Sequence, residues 1–407
     1  MPVQRKKRLL VSITNPEYTQ RQKLEGILTY VRERKNDSWH VQIDTGGFTR
    51  QILSGISNWQ CDGIIAFIDD PSERRRYIQS HVPTVLIDPF LDIRQPPPSR
   101  RKNLIFFAND HAAEGRTAAA YFLNRHYRSF AYVGDPESTF WSQCRCRGFC
   151  AALKDAGFGC STYTDIPGPL RDDFALEMPR LEKWISALPR HTAIFTTHDF
   201  RARQILMITD ILGISVPHDL AILGVDDDTI VCETSTPALS SIPSHDFTLG
   251  YASCRALNEM LTGRASPRGR LICTRHTQVT TRASTSLQAI SDSFVARALA
   301  FAESHLDHDL TADTIAREIG YSKRMLQIRI RQSLGTTLGQ EILRMRLTAA
   351  KKMLEEEHRP IIEIATACGF YGTSHLGTHF KRAYGLSPRQ YRQQTTALLG
   401  QGTVNTR

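Results

Sequence analysis

Carboxylates, an arginine and a tryptophan follow several short apolar segments that are typical of buried strands. Asp69, Asp199 and Asp226 stand at the ends of such segments, in GIIAFIDD, AIFTTHD and AILGVD. Trp141 and Arg145 lie at the start of the helix-like stretch that comes after FAYVG. A ligand with many hydroxyl groups and apolar C–H faces needs paired acceptors, a planar donor and an aromatic surface. These five residues are therefore candidates for binding a sugar-like small molecule.

Each candidate also has a purely structural interpretation. An aspartate that follows a strand often caps the next helix. Trp141 could instead be a core anchor, and Arg145 could pair with an acidic neighbour on the surface. Helix capping or surface pairing is the alternative interpretation for the acidic residues Asp70, Asp110, Asp135, Glu137, Asp227 and Asp228.

Catalysis and metal binding have weaker support. A glycoside hydrolase needs two acids roughly 5–10 Å apart, and no motif here defines such a pair. The nine cysteines contain no CxxC pair. The densest group, Cys144, Cys146 and Cys150, leaves a soft metal site as an alternative, but its spacing matches no zinc pattern. We expect free thiols, no metal, no cofactor and no enzymatic activity.

The elements that position these residues alternate between strand-like and helix-like segments over about the first 280 residues. Continuous apolar strands with amphipathic helices between them predict parallel sheets covered on both faces. The length of 407 residues favours two such units beside a further domain. The fold class of this part is therefore α/β with parallel sheets in two units, whose polar strand ends lie where open α/β sheets bind ligands.

The chain changes character from Asp292 onward, where the pattern is almost entirely helical. This part has sixteen basic and eleven acidic side chains, within a chain of net charge +10. Between Lys323 and Lys352 there are eight basic residues and one acidic residue. Charge concentrated in this way suits a nucleic-acid-binding face better than general solubility.

Two helix–turn–helix patterns occur in this helical part. In the first, Thr311 caps a helix, Gly320 turns the chain and Ser322 caps a second helix. The second pattern follows Pro360 and turns at Gly369. Two recognition helices about 34 Å apart can enter successive major grooves on one face of a duplex. The alternative is a plain helical bundle with a basic surface.

The segment ATACGFYGTSHLGTHFKRAYGLSPRQYR resembles the signature of AraC-type transcription regulators. The resemblance covers about residues 292–392 and implies that exposed side chains of both recognition helices contact DNA. Those residues are Lys323, Arg324, Gln327 and Arg331 in the first helix, and Thr373, Gly377, Thr378 and Lys381 in the second. For Arg329, Arg331, Arg346, Lys381 and Arg382, phosphate contact or local packing is favoured over the reading of bases.

The α/β region resembles the sensor of LacI-type regulators and periplasmic sugar-binding proteins, through segments such as LEGILTYVRE, FANDHAAEGRTAAAYFL and RCRGFCAAL. This resemblance implies two lobes with ligand between them, and a dimer surface on the first lobe. It gives Arg145 the position of a ligand arginine, has Asp199 and Asp226 contact sugar hydroxyls, and makes Trp141 a stacking partner. A sensor of this kind joined to an AraC-type module is similar to the xylose operon regulators.

The expected domain boundaries follow from both resemblances. They are a sensor at 1–283 (lobe 1 about 1–108 and 247–283, lobe 2 about 109–246), a linker at 284–291, an AraC-type double helix–turn–helix domain at 292–395 and a disordered tail at 396–407. The linker prediction rests on the small polar residues of TTRASTSLQAIS.

The expected function is activation of an operon for the use of xylose or another pentose. A non-sugar effector such as a purine, or repression, is the alternative. The expected partners are double-stranded operator DNA with direct repeats, a sugar effector, RNA polymerase and a second copy of the chain. No run approaches the roughly 18 apolar residues of a membrane helix, and the basic N-terminus lacks a signal-peptide core. We therefore expect no membrane contact and a cytoplasmic, nucleoid-associated protein.

Overall fold

The computed structural model describes most of the chain. The described residues are 6–13, 18–34, 39–45, 48–53, 60–68, 71–87, 90–93, 95, 101–136, 139–168, 173–264, 270–274, 278–286, 292–356 and 359–393. They form two compact units, one up to residue 286 and one from residue 292. Among these residues, none of the helices combines the length and hydropathy that a membrane span requires.

The first sheet has six parallel strands. Its order is β2 (Trp39–Asp44), β1 (Lys7–Ser12), β3 (Gly63–Phe67), β4 (Thr84–Ile87), β5 (Leu104–Asn109) and β11 (Arg270–Thr274). Every residue of β3 and β4 is buried. Such unbroken apolar strands form because helices cover both faces of a parallel sheet, as the sequence pattern predicted.

The second sheet has five parallel strands. Its order is β7 (Ser161–Tyr163), β6 (Ser129–Val133), β8 (Thr192–Thr196), β9 (Leu220–Asp226) and β10 (Ser240–Pro243). Strand β8 is buried throughout, and β9 is buried up to its last residue, Asp226. The predicted architecture of two parallel-sheet lobes is confirmed.

Nine α-helices surround the two sheets in the described part of the first unit. They are α1 (Tyr18–Glu33), α2 (Phe48–Leu53), α3 (Arg74–Gln79), α4 (His111–Asn124), α5 (Phe140–Asp155), α6 (Phe174–Ser186), α7 (Asp199–Ile211), α8 (Thr229–Thr234) and α9 (Asp246–Leu261). Helix α1 packs on α9 beside the first sheet, and α4 packs on α5 beside the second. The chain therefore passes from the first lobe to the second after β5 and returns after β10.

The chain crosses between the lobes a third time at residues 280–285, where the sequence predicted the end of lobe 1 and the start of a linker. Thr280 pairs with Ser241 of the second lobe, and the short 3-10 helix Ala283–Thr285 packs on β9 and β10. Ser284 and Thr285 are fully buried. Ser284 and Thr285, which the sequence assigned to the linker, therefore pack into the second lobe.

The second unit is entirely helical among its described residues. Its helices are α10 (Ser293–Ser304), α11 (Ala312–Glu318), α12 (Lys323–Leu334), α13 (Leu338–Glu356), α14 (Ile361–Ala367) and α15 (Thr373–Tyr384). One hydrophobic core joins α10, α11 and α12 to the start of α13, and another joins the rest of α13 to α14 and α15. Helix α13 thus contributes to the cores of two successive helix pairs.

The helix boundaries follow the predicted local signals. Thr311 caps α11 by accepting a hydrogen bond from the backbone of Thr314, and Ser322 caps α12 through the backbone of Met325. Gly320 and Gly369 adopt φ angles of +78° and +72° at the two turns, a region that glycine enters without strain. Both predicted helix–turn–helix motifs are confirmed.

Candidate effector site and DNA-binding helices

Arg145 is the centre of a buried polar cluster in the second lobe. The residue is 5% exposed. Its Nε donates to a carboxylate oxygen of Glu114 at 2.5 Å, and one Nη donates to the Thr197 carbonyl at 2.5 Å. The other Nη lies 4.0 Å from Oδ1 of Asp226. The guanidinium also lies 5.1 Å from the ring centroid of Trp141, within the range of a cation–π contact.

Two glycines allow the helices that carry this cluster to meet. Gly115 follows Glu114 on α4, and a Cβ there would lie 2.2 Å from the Arg145 carbonyl oxygen. Gly148 lies one turn after Arg145 on α5, and a Cβ there would lie 2.1 Å from the Ala112 carbonyl oxygen. Any side chain at either position would force α4 and α5 apart. These glycines therefore set the distance over which Arg145 reaches Glu114.

Asp226 and Asp227 occupy a strained turn at the end of β9. Their φ angles are +109° and +54°, a region that costs of order 1–3 kcal/mol for a residue with a side chain. The amide and hydroxyl of Ser244 donate to the Asp226 carbonyl, and the Ser241 hydroxyl accepts from the Asp227 amide. Burial raises the pKa of the Asp226 carboxyl well above its usual value, although Arg145 opposes that shift.

Asp199 lies deeper than its place at a strand end suggested. It is 1% exposed, and it accepts hydrogen bonds from Ser241 Oγ at 2.6 Å and from the Asp228 amide at 2.9 Å. Burial raises the pKa of Asp199 to about 7. In this structure Asp199 positions the turn after β9, and its contact with a ligand stays a prediction.

The neighbouring residues support the cluster from both lobes. The Tyr18 hydroxyl, on α1 of the first lobe, donates to the Asp227 carbonyl at 3.3 Å. Arg282, on the third passage, pairs with the Asp227 carboxylate at 2.7 Å. Lys23 of α1 pairs with Asp246, the first residue of α9, at 2.8 Å. The turn after β9 therefore contacts the first lobe and the passage between the lobes.

The first recognition helix, α12, exposes all four of its predicted DNA-contacting residues: Lys323, Arg324, Gln327 and Arg331. Lys323 pairs with Asp313 at 2.7 Å. Within the part of the chain that the structure describes, Arg324 forms no ion pair, so its guanidinium is available for a partner. Arg329 is used in packing, because it pairs with Asp292 at 3.2 Å and lies 4.3 Å from the Phe294 ring centroid.

The second recognition helix, α15, exposes Thr373, Thr378 and Lys381, and leaves Gly377 half-buried. The Thr378 hydroxyl donates to the Ser374 carbonyl at 3.0 Å, so it is engaged within the helix. Arg346 of α13 donates to the carbonyls of Leu306 and His308. Of the two alternatives for Arg346, the structure therefore shows local packing.

Gly377 offers a test of the surface of α15. A Cβ at this position would meet nothing within 4 Å. We expect Gly377→Ala to raise the free energy of unfolding of the second unit by about 0.5–1 kcal/mol, because alanine restricts the unfolded chain more than glycine does. Chemical denaturation followed by far-ultraviolet circular dichroism measures the change. A destabilised variant would show that this face of α15 is occupied within the protein.

Comparison with known proteins gives matches for both the α/β unit and the helical unit. A XylR N-terminal domain family matches residues 9–98, a periplasmic binding protein-like domain family matches residues 119–285, and a helix-turn-helix domain family matches residues 315–394. The xylose operon regulatory protein of Escherichia coli (strain K12) is 25% identical over 381 residues, which cover 93% of this chain and 95% of that protein. The chain is a DNA-binding transcription regulator that is similar to the xylose operon regulatory proteins, with a periplasmic binding protein-like domain and a helix-turn-helix domain.

Further similarities extend over most of the regulator. The xylose operon regulatory protein of Haemophilus influenzae (strain ATCC 51907 / DSM 11121 / KW20 / Rd) is 24% identical over 374 residues, or 91% of the regulator and 94% of that protein. The structure of the xylose-binding transcription activator XylR is 25% identical, with a TM-score of 0.60 over 96% of the regulator and 98% of that chain. The lac repressor dimer bound to operator and the anti-inducer ONPF has a TM-score of 0.52 at 18% identity, over 69% of the regulator and 82% of that chain, which shows the shared fold.

The structure brings together most of the predicted effector-binding residues of the regulator. Trp141, Arg145 and Asp226 form one cluster, and Asp199 lies behind it. Asp69 lies outside the described residues. His198 was predicted to have a structural role, and its Nδ1 caps α7. Burial lowers the pKa of its imidazole to about 3.

Sequence reasoning missed Glu114, Tyr18 and Arg282. The alternative partners considered for Arg145 were Asp135 and Glu137, whereas the regulator pairs it with Glu114. A signal for this pair was present, because Glu114 directly precedes Gly115 and Arg145 stands three residues before Gly148. Small residues at matching places on two helices indicate a close crossing that brings their neighbours together.

Proposed function

We propose that the regulator activates an operon for the use of xylose or another pentose, and that the sugar binds between the two lobes of the sensor. The observation that carries the proposal is the Arg145 cluster with Trp141 and Asp226. The similarity to two xylose operon regulatory proteins over more than nine tenths of the chain supports it. The proposed regulator binds its effector without chemical conversion.

The chemistry of the cluster suits a neutral polyhydroxylated ligand. Arg145 is a planar donor held in place by Glu114 and the Thr197 carbonyl. Asp226 supplies acceptor oxygens, and Trp141 supplies an aromatic face. Among the described residues around the cluster, carboxyl groups outnumber cations: the acids are Glu114, Asp199, Asp226, Asp227, Asp228 and Asp246, and the cations are Lys23, Arg145 and Arg282. Such a site favours an uncharged sugar over a sugar phosphate or a nucleotide.

Ligand-dependent movement of the lobes would connect this site to the DNA-binding unit. A ligand can shift the balance between two sensor conformations only by binding one of them better. Tyr18 and Lys23, both on α1 of the first lobe, lie beside the residues of the cluster. A sugar that contacts these side chains and Asp226 together would favour the closed arrangement.

The effector class can be tested by thermal shift on the full chain. The panel contains D-xylose, L-arabinose, D-ribose, D-glucose, ribose 5-phosphate and adenine. The effector, at 100 times its dissociation constant, is expected to stabilise the sensor by about 2.7 kcal/mol. Stabilisation by adenine or ribose 5-phosphate, with none by any free sugar, would contradict the proposal.

Asp226→Asn should weaken sugar binding about tenfold, which corresponds to about 1.4 kcal/mol. Asparagine keeps one acceptor oxygen and tolerates a positive φ angle, but its amide nitrogen can only donate, so a sugar hydroxyl that donates to that position loses its acceptor. Isothermal titration calorimetry measures the change. The matched control is Asp155→Asn, at the exposed end of α5; equal affinity of both variants would remove Asp226 from the site.

We also propose that the regulator forms a homodimer through the outer face of α7. Phe200, Met207 and Ile211 are 58%, 44% and 59% exposed, and their spacing places them on one side of the helix. Arg203 and Asp210 are exposed on the same face. In an antiparallel pair related by two-fold symmetry, Arg203 of each copy would lie near Asp210 of the other.

The dimer proposal predicts that Met207→Glu produces monomers at concentrations where the wild-type chain is dimeric, because a buried unpaired charge would face its own copy. Sedimentation velocity measures the distribution. Ile43→Glu, on β2 of the first lobe, is the matched control, since the resemblance had placed the dimer surface there. Dissociation by Ile43→Glu alone would assign the interface to the first lobe.

As an activator, the regulator would bind operators with direct repeats and would contact RNA polymerase. Both partners place it in the cytoplasm, at the nucleoid. Transcription in vitro with purified RNA polymerase tests these parts of the proposal. Transcripts should rise when both the regulator and its sugar are present. A fall on adding the regulator alone, reversed by sugar, would make it a repressor.

A further inference from the structure

A group of thiols lies on the second lobe, on α5 and just before β7. Cys146 and Cys150 are one helical turn apart on α5, with their sulfur atoms 3.9 Å apart. Cys160, directly before β7, lies close enough to Cys150 for the two thiols to interact. All three side chains are half-buried, whereas Cys232, Cys254 and Cys368 are fully buried. Small oxidants can therefore reach this group in the folded protein.

The arrangement favours disulfide chemistry over metal binding. No group of three or more His, Cys, Asp or Glu residues in the described parts of the chain has an arrangement that could hold a metal ion. Cysteines four apart on a helix have Cβ atoms about 5–6 Å apart, which exceeds the roughly 3.5–4.5 Å of a disulfide. Cys146 and Cys150 are therefore poorly placed to bond with each other.

Cys150 and Cys160 can approach more easily. Between them, the chain leaves α5 and enters β7 through Gly157 and Gly159, and a Cβ at either glycine would meet nothing within 4 Å. Gly157 and Gly159 are exposed, whereas Phe158 between them packs on the buried Phe130 ring, so an adjustment of this connection would fall on the two glycines. Hydrogen bonds from Cys146 and Cys160 also lower the pKa of the Cys150 thiol, which increases the fraction of reactive thiolate.

We propose that Cys150 and Cys160 form a reversible disulfide when the protein meets hydrogen peroxide. The Cys150 thiolate attacks one peroxide oxygen, the O–O bond breaks, and sulfenic acid and hydroxide form. The Cys160 thiol then attacks the sulfenic sulfur, and the S–S bond forms as water leaves with the thiol proton. Two thiols are oxidised and one peroxide is reduced to two waters. A dithiol reductant reverses the reaction by thiol–disulfide exchange.

The disulfide would act on the helix that carries the cleft residues. Arg145 and Trp141 are on α5 with Cys150, and β7 is the edge strand of the second sheet. Linking the end of α5 to the start of β7 would restrict movement of the C-terminal half of this helix. The modification does not depend on the identity of the effector, so it can be tested without knowing the sugar.

Mass spectrometry of the full chain tests the proposal. The native protein is treated with hydrogen peroxide, alkylated, digested and mapped. The expected product is a Cys150–Cys160 cross-link that disappears after dithiothreitol. Cys160→Ser should abolish that cross-link and leave Cys150 as a trapped sulfenic acid that dimedone labels. Cys144→Ser, on the same helix, should leave the cross-link unchanged.

Two results would overturn the proposal. One is a wild-type chain whose Cys150 and Cys160 both remain alkylatable after peroxide treatment. The other is a cross-link between Cys146 and Cys150 that forms equally in the wild-type chain and in Cys160→Ser. Circular dichroism of each variant checks that serine, which has nearly the shape of cysteine, has preserved the fold.

Discussion

Replacing Arg145 with methionine is expected to lower the free energy of unfolding of the sensor by about 3–5 kcal/mol. Glu114 is 1% exposed and pairs with Arg145 through Nε. Without the guanidinium, the Glu114 carboxylate would remain buried and would have lost its charged partner. The His111 Nδ1 atom, 3.2 Å from Glu114, would stay as a neighbouring polar group. The loss of the Thr197 contact adds an unsatisfied carbonyl. Methionine fills a similar volume, so the change reports mainly on charge and hydrogen bonding.

Urea unfolding followed by tryptophan fluorescence measures this effect in the full chain. All four tryptophans, Trp39, Trp59, Trp141 and Trp184, lie in the first 184 residues, so the signal reports on the sensor alone. Arg190→Met is the control, because Arg190 is 80% exposed and such a change usually alters stability by no more than about 0.5 kcal/mol.

A double variant separates the pair from its surroundings. Arg145→Met combined with Glu114→Gln removes both charges, so it should be more stable than Arg145→Met alone. If the double variant loses as much as the sum of the two single changes, the two side chains are not energetically coupled. In that case the large effect of Arg145→Met would have to come from the Thr197 contact and local packing.

The parts of the fold that the sequence predicted are those decided by local physics. Continuous apolar runs such as Gly63–Phe67 cannot be half-exposed, so they predict strands in a sheet covered on both sides. Thr311 and Ser322 define helix starts because their side chains satisfy backbone amides that the helix leaves free. The order of strands and helices then restricts the topology to parallel sheets.

The parts that the sequence did not predict depend on contacts between distant segments. Glu114 and Arg145 are 31 positions apart, and only the crossing of α4 and α5 brings them together. The segment from Thr280 to Thr285 has the composition of a flexible linker. It is ordered because its hydroxyls meet sheet carbonyls, as when Ser284 Oγ donates to the Ile222 carbonyl at 2.6 Å. Buried hydroxyls are stable when such bonds are present, and a single sequence does not reveal their acceptors.

Asp199 shows the same limit at the site itself. The local pattern alone predicts that a carboxylate after a strand lies at the polar edge of the sheet. Whether it faces a ligand or a neighbouring loop depends on Ser241 and the Asp228 amide, which come from later parts of the chain. The sequence therefore predicted which edge of the sheet is polar, and the fold decides which carboxylates are free to bind.

Arg324→Ala should weaken binding to a preferred DNA duplex by about 1–3 kcal/mol, or roughly tenfold to a hundredfold. Arg324 is exposed on α12 and forms no ion pair among the described residues, whereas its neighbour Lys323 is paired with Asp313. An unpaired arginine on a recognition helix can donate two hydrogen bonds to a guanine edge. Alanine removes both donors while it preserves the helix.

The measurement compares two duplexes of equal length, one enriched from a random pool by the wild-type chain and one of random sequence. Fluorescence anisotropy at several salt concentrations gives the affinity and its salt dependence, and Arg190→Ala on the sensor controls for the change in net charge. A base contact predicts a large loss on the enriched duplex, a small loss on the random one, and an unchanged salt slope. Equal losses on both duplexes, with the slope reduced by about 0.9, would instead mean that Arg324 neutralises a phosphate. Because Arg329 is engaged in packing, sequence reading through α12 would then have to rest on Lys323, Gln327, Arg331 and the exposed apolar side chain of Ile328, 43% of which is accessible.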